Sequence, residues 1–177
     1  MRTTAGNLTI ECEVGDIAAQ PDMDAVVNAA NAQLMIGGGV AGAIHRAAGK
    51  GLAEECAPLA PIAPGEAVIT GGHGLPNPYV IHCLGPVYGM DEPADRLLAD
   101  CYRNALRLAE ENGLKSIVFP AISTGAFGYP LRPATEIAFA TVLDAAPRLN
   151  SLRQVRFCLY SDGDYDVHAE VLRTLAG

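Results

Sequence analysis

The chain has 177 residues, half of them hydrophobic, and carries 20 acidic against 12 basic side chains for a formal net charge of −8. That length favours a single domain, residues 1–177, with a substantial core. The charge excludes broad binding to nucleic-acid backbones, which needs clustered Lys and Arg, but not one bound diphosphate, because backbone amides form local anion sites.

The N-terminal MRTTAGNLTIE has no apolar signal stretch, so no export leader is expected. Leu8–Val14 alternates apolar and polar residues and predicts a half-buried strand. Ala25–Val27 predicts a short buried strand ending at Asn28, and Val40 to Cys56 predicts one helix with Val40, Ile44, Ala47 and Ala48 on one side. Glu66–Thr70 and Tyr79–Leu84 predict strands, separated by turn residues from Gly71 to Pro78. Asp95–Asn112 predicts an amphipathic helix through Leu97, Leu98, Cys101, Ala105 and Leu108, stopped by Gly113. Ser116–Pro120 predicts a strand. Pro133–Ala145 predicts a helix with Ile137, Ala138, Thr141 and Val142 inward. Gln154–Tyr160 predicts the last strand, and Tyr165–Leu175 the last helix, through Val167, Val171, Leu172 and Leu175. Alternation of this kind implies a mostly parallel sheet between helices, with ligands bound at the carboxyl ends of the strands. Asn28, Ser123 and Ser161 each follow a predicted strand and are expected on one rim.

Cys12, Cys56, Cys83, Cys101 and Cys158 are scattered, odd in number and without a CxxC. Free thiols in a reducing cytoplasm are expected, with neither a disulfide frame nor a metal site. Ala25 to Ile44 is uncharged but holds Asn28, Asn31, Gln33 and four glycines, so no membrane span is expected.

The most informative stretch is VVNAANAQLMIGGGVAG, Val26 to Gly42. Adjacent glycines cost entropy but let backbone pass close to a ligand. At a helix start they leave N–H groups free to face an anion. Asparagines beside such a loop bond hydroxyls without repelling phosphate. The chemistry indicated is a sugar joined to phosphates. Gly37, Gly39 and Gly42 satisfy GxGxxG, yet Asn28 to Ile36 separate them from their strand, against the dinucleotide-fold pattern. Gly49-Lys50 is no P-loop, because Gly51 stands where Ser or Thr is needed. Ala121-x-Ser123-x-Gly125 approaches a nucleophile elbow, with Asp162 and His168 in serine-hydrolase order, but the loop runs on through Pro130 before any helix. Small polar residues with one aromatic suit phosphate cradling and sugar stacking better. Of the histidines, His73 falls in a turn, His82 is expected in the core, His168 is expected exposed, and His45 is read as supporting the glycine loop or facing solvent.

Together these residues resemble the macrodomains, a family of ADP-ribose-binding modules. Asn28-Ala29-Ala30-Asn31, Gly37-Gly38-Gly39-Val40 and Ile44-His45-Arg46-Ala47-Ala48-Gly49 are similar to its first signature. Val14-Gly15-Asp16-Ile17 resembles its adenine-side motif. Gly65-Glu66-Ala67, Ile69-Thr70-Gly71, Leu75-Pro76, Tyr79-Val80-Ile81-His82 and Gly85-Pro86 are similar to its middle strands, and Phe119 to Gly125 with Phe127 to Pro130 to its second phosphate loop. The resemblance implies a three-layer α/β/α fold with a mixed, mainly parallel central sheet. It implies that Asp16 accepts from the adenine amino group, that the Ile17 amide touches adenine, and that Tyr160 packs on it. Gly38, Gly39 and Val40 would give amides to one phosphate, and Ser123, Thr124, Gly125 and Ala126 to the other. Phe127 would line the distal ribose, Asn31 would bond its hydroxyls and serve catalysis, and Asn28 would shape the loop.

One position departs from the pattern. Hydrolytic MacroD-type members carry an aspartate after the valine of GGGV, where this chain has Ala41. Valine–alanine–glycine is similar to coronaviral macrodomains, which hydrolyse ADP-ribosyl esters but place a histidine at the position of Ile36. The resemblance leaves two function classes open. One is an enzyme removing ADP-ribose from acidic side chains or deacetylating O-acetyl-ADP-ribose, with loop geometry orienting water and a ligand phosphate taking its proton. The other is a reader that binds ADP-ribose without turnover. The expected partner is ADP-ribose or an ADP-ribosylated protein, with no cofactor and a monomeric chain. A chain of this length standing alone favours the enzyme, since readers are commonly fused to other domains.

Overall fold

The computed structural model describes residues 1–177. In chain order its elements are β1 (Arg2–Ala5), β2 (Leu8–Val14), β3 (Ala25–Ala29), α1 (Gly39–Ala48), α2 (Lys50–Cys56), β4 (Ala67–Gly71), β5 (Tyr79–Cys83), α3 (Ala94–Glu111), β6 (Ser116–Phe119), α4 (Leu131–Ala145), β7 (Gln154–Leu159) and α5 (Asp162–Ala176). One seven-stranded sheet has the order β1-β2-β7-β6-β3-β5-β4. The five strands from β2 to β5 in that order are parallel, and β1 and β4 pair antiparallel at the two edges.

Alternate residues of the central strands point to opposite faces. Val27, Ile81, Ile117, Phe119 and Phe157 join α3, α4 and α5 in a cluster of 30 buried residues, whereas Val26, Val80, Val118 and Cys158 join α1 and α2 in one of 15. Both faces are covered, as a parallel sheet requires. The fold is therefore the three-layer α/β/α arrangement with a mixed, mainly parallel sheet. The smaller cluster leaves part of its face to buried polar side chains. His82 bonds Asn28 Nδ2 through Nδ1 at 3.0 Å and Thr70 Oγ1 through Nε2 at 2.9 Å. Arg156, on the same face as Cys158, donates to Glu11 at 2.7 Å, to Gln20 at 2.8 Å and to both oxygens of Asp22 at 2.8 and 2.7 Å. Unpaired, such groups would each cost on the order of 1–3 kcal/mol.

Several boundaries differ from the sequence expectation for identifiable reasons. The stretch expected as one helix is two, because Gly49 at φ 81° and ψ 179° cannot continue α1 into α2. Strand β1 has no apolar alternation to mark it; its residues are exposed or half-buried at the sheet edge, and it is held by a hairpin with Gly6 at φ 60°. On α3 the expected Leu98, Cys101 and Ala105 are buried, and the stripe widens on the side away from Leu97 and Leu108. Leu98, Cys101, Tyr102, Ala105, Leu106 and Ala109 are buried, while Leu97 and Leu108 flank them half-buried. Helix α5 starts at Asp162, three residues early, because the Ser161 hydroxyl accepts from Asp164 N at 3.1 Å. Leu175, expected inward, is exposed. His168, expected exposed, is 1% exposed; its Nδ1 bonds the Asp164 carbonyl at 2.8 Å and its ring packs on Phe139 and Phe157. All five cysteines are free and buried, and no helix is long and apolar enough to cross a membrane.

Burial holds three histidines below their ordinary value of 6.5, His82 to about 3 with a further push from His45. As pH falls through 6.5 the unfolded chain takes up these protons before the folded one, so stability is full above that value and drains away below it. Glu110 acts in the same direction. Burial raises it, but amides of Leu152, Ser151 and Asn150 and the charge of Arg153 outweigh that and hold it below the ordinary carboxylate value. Melting followed by circular dichroism should show a melting temperature that falls steadily as pH drops from 6.5 toward about 3. A melting temperature that rises on acidification would contradict this account.

Candidate functional site

Parallel pairing places the carboxyl ends of β2, β3, β6 and β7 on one edge, in register at Val14 with Leu159 and at Phe119 with Phe157. The segments leaving these ends line a cavity of about 1030 Å³: Gly15 to Ile17, Ala29 to Asn31, Pro120 to Phe127, and Cys158 to Tyr160. Gly37 to Ala41 close it from the side, where the first turn of α1 begins. The volume is at the upper end for small-ligand pockets and suits a dinucleotide-sized molecule.

The glycine loop enters α1 through Gly39, whose φ of +54° disfavours any other residue. No group in the chain accepts from the amides of Gly38, Gly39 and Val40, the donors a helix start leaves open. Facing them, the loop after β6 folds on itself. Thr124 Oγ1 donates to the Ala121 carbonyl at 3.0 Å, Gly128 N to the Gly125 carbonyl at 3.0 Å, and Tyr129 N to the Ser123 carbonyl at 2.9 Å. The amides of Ser123, Thr124, Gly125, Ala126 and Phe127 are left without acceptors. Two sets of oriented donors across a cavity are the arrangement that suits a polyanion.

Ser123 sits at φ 67°, is buried, and its Oγ has no partner. It packs against Gly85, where a Cβ would collide with Ser123 Oγ and lie 2.6 Å from Ile122 Cγ2. His168 is committed to the Asp164 carbonyl and the opposite core. The serine-hydrolase arrangement weighed from the sequence is therefore not formed.

Asn31 closes its own loop, Oδ1 accepting from Met35 N at 3.0 Å and Nδ2 donating to the Met35 carbonyl at 2.8 Å. One amide hydrogen and one lone pair remain for a ligand. At the other end Asp16 Oδ1 accepts from Ala18 N at 2.9 Å, and its second oxygen is open. Ile17 is buried beside it, and Tyr160 is 95% exposed at the rim. Gln20 Nε2 donates to the Asp16 carbonyl at 2.9 Å while its Oε1 takes the bond from Arg156, so the buried arginine fixes this turn. Cys158 lines the cavity, its thiol pushed up to about 11 by burial and by Glu13 and Asp16, which favours the protonated form.

Of the residues singled out from the sequence, Asp16, Ile17, Asn31, Gly38, Gly39, Val40, Ser123, Thr124, Gly125, Ala126, Phe127 and Tyr160 all line this one cavity. Asn28 does not. It lies inside β3, is fully buried and bonds His82, with its Oδ1 unpartnered. His45 is also buried off the cavity, with Nε2 unpartnered and its basicity lowered by burial. Gly85, Arg46 and Asp164 also line the cavity, and the sequence reading assigns none of them a site role. For Arg46 a signal existed: Gly39, Val40, Ala43 and Arg46 recur at helical spacing on one face of α1. No cluster of His, Cys, Asp and Glu suited to a metal ion occurs in the structure.

Comparison with known proteins agrees with this geometry. The chain is 47% identical over 167 residues to the macro domain-containing protein CT2219 of Chlorobaculum tepidum, covering 94% of this chain and 96% of that one. It is 46% identical to the O-acetyl-ADP-ribose deacetylase of Enterobacter sp., covering 92% and 93%. Among solved structures, the Oceanobacillus iheyensis macrodomain with ADP superimposes with a TM-score of 0.95 at 39% identity, covering 99% of this chain and 96% of that one. The Macro domain model matches residues 27–138, and the chain belongs to the Macro domain family.

Proposed function

We propose that the cavity binds ADP-ribose, with adenine between Asp16, Ile17 and Tyr160, the diphosphate between the two loops, and the distal ribose against Asn31 and Phe127. The observation that carries this reading is the pair of facing loops whose amides lack acceptors, from Gly38 to Val40 and from Ser123 to Phe127. The open oxygen of Asp16 accepts from the adenine amino group, and the exposed Tyr160 ring covers the base. The remaining hydrogen-bonding capacity of Asn31 takes the ribose hydroxyls. Asn28 acts at one remove, holding the end of β3 through His82. The ADP seen in the Oceanobacillus protein and the name of the Enterobacter relative support the ligand class.

The reaction proposed is hydrolysis of esters: ADP-ribose joined to an acidic side chain, and O-acetyl-ADP-ribose. In the first, water attacks the distal anomeric carbon, the bond to the carboxylate oxygen breaks, and the carboxylate leaves with the electron pair. The proton of the water passes to a ligand phosphate oxygen. In the second, water attacks the acetyl carbon, the bond from that carbon to the ribose oxygen breaks, and the ribose oxygen leaves with the electron pair and takes up a proton of the water as acetic acid forms. Holding water and ribose in line supplies the rate, since positioning alone removes much of a barrier. A specific observation favours a second reading, recognition without turnover. Ala41 lines the cavity where MacroD-type enzymes place an aspartate, and the charged lining residues are only Asp16, Arg46 and Asp164.

Calorimetry should detect ADP-ribose binding, with NAD far weaker because nicotinamide crowds the distal ribose. Asp16→Ala should weaken ADP-ribose by about 1–3 kcal/mol, the cost of an unpaired polar partner, without altering the fold. Unchanged affinity in both Asp16→Ala and Tyr160→Ala would place adenine elsewhere.

Turnover is tested by release of ADP-ribose from a glutamyl-linked substrate. The parent should release it slowly, and Asn31→Ala should be slower on the order of 100-fold while keeping part of its affinity. Equal release by both would exclude this site, and binding without release by the parent would establish the reader.

A further inference from the structure

Arg46 is the one cationic side chain lining the cavity; Asp16 and Asp164, the other charged lining residues, are acidic. Most arginines in this chain face carboxylates. Arg2 pairs with Glu11, Arg96 and Arg103 with Asp100, Arg107 with Glu111, Arg132 with Glu170, Arg148 with Asp144, and Arg156 with Glu11 and Asp22. Arg46 has neither an ion pair nor a side-chain hydrogen bond, and it is exposed. A helical side chain leans toward the helix start. That of Arg46 does so over Gly42, where a Cβ would lie 2.8 Å from Nη1 and would also strike the Gly37 carbonyl. The missing side chain at Gly42 is thus the slot through which the guanidinium reaches back to the glycine loop.

We propose that Arg46 is an anion-selecting residue, its guanidinium bonding a phosphate oxygen of the ligand held on the amides of Gly38 to Val40. The proposal rests on the ADP-ribose reading and deepens it. Backbone amides present partial charges, and the protein as a whole is acidic at −8. Within reach of the diphosphate, Arg46 supplies the only full positive charge, set against the carboxylates of Asp16 and Asp164. Charge-assisted bonds from arginine to phosphate are strong and geometrically selective. An exposed charge of this kind also attracts an anion before contact, an effect that salt screens.

The test is calorimetry with ADP-ribose and with uncharged adenosine, at low and at high salt, on the parent, Arg46→Lys and Arg46→Ala. Arg46→Ala should lose about tenfold in ADP-ribose affinity at low salt and less at high salt, with adenosine unaffected. Arg46→Lys should recover part of the loss, because an ammonium keeps the charge but not the fork. If Arg46→Ala binds ADP-ribose as the parent does, or loses a salt-independent factor, the proposal is overturned and the ADP-ribose reading survives. A parent that binds no ADP-ribose overturns both.

Discussion

Parallel pairing is the constraint from which the site follows. Once β2, β7, β6, β3 and β5 run in one direction, their carboxyl ends share an edge, and every segment leaving that edge must turn there. The turns come from distant parts of the chain, Gly15 to Ile17 at one end and Cys158 to Tyr160 at the other, yet they meet around one cavity. The helices that return the chain are what make parallel pairing possible, and the start of α1 contributes its own open donors to the same edge. Sheet direction and anion site are two consequences of one topology.

The thin layer of two short helices sets a second condition. It cannot cover its sheet face with apolar side chains alone, so buried polar groups complete the packing and reach toward the site. Arg156 and Gln20 brace the turn that carries Asp16. Thr70, His82 and Asn28 form a chain across β4, β5 and β3 that ends two residues before Ala30. Buried networks of this kind are costly when broken and define a single arrangement when complete.

The loops were legible in the sequence because their chemistry is local. Three glycines before a helix, and a serine–threonine–glycine loop after a strand, announce open amides wherever they occur. Positions settled by distant packing were harder. His168 carries no mark that α4 and the Phe157 ring would cover it. Asn28 reads like its neighbour Asn31, and only the register of β3 against β5, which sets it opposite His82, separates a buried bracket from an amide that lines the cavity. On α3 the expected Leu98, Cys101 and Ala105 are buried, whereas Tyr102 and Ala109 join them in place of Leu97 and Leu108, because a small alanine and a ring packed on Phe119 fit closer to the sheet than the flanking leucines. Arg46 belongs to the Ile44–Gly49 stretch, but its reach depends on a slot at Gly42 that no linear spacing displays.

The contact between Gly85 and Ser123 bears on how this pocket can change over evolutionary time. Ser123 holds a left-handed backbone that glycine adopts freely, and its hydroxyl occupies the space a side chain at position 85 would need. The two positions therefore do not drift independently. Replacing Ser123 by glycine relieves the backbone and removes the contact with the hydroxyl, but Ile122 Cγ2, 2.6 Å from where a Cβ at position 85 would sit, still holds that position to glycine. The reverse order begins with a collision against Ser123 and Ile122 that distorts the loop at once. Position 85 is therefore closed by two neighbours at once, and loosening it takes a change at Ile122 as well as at Ser123.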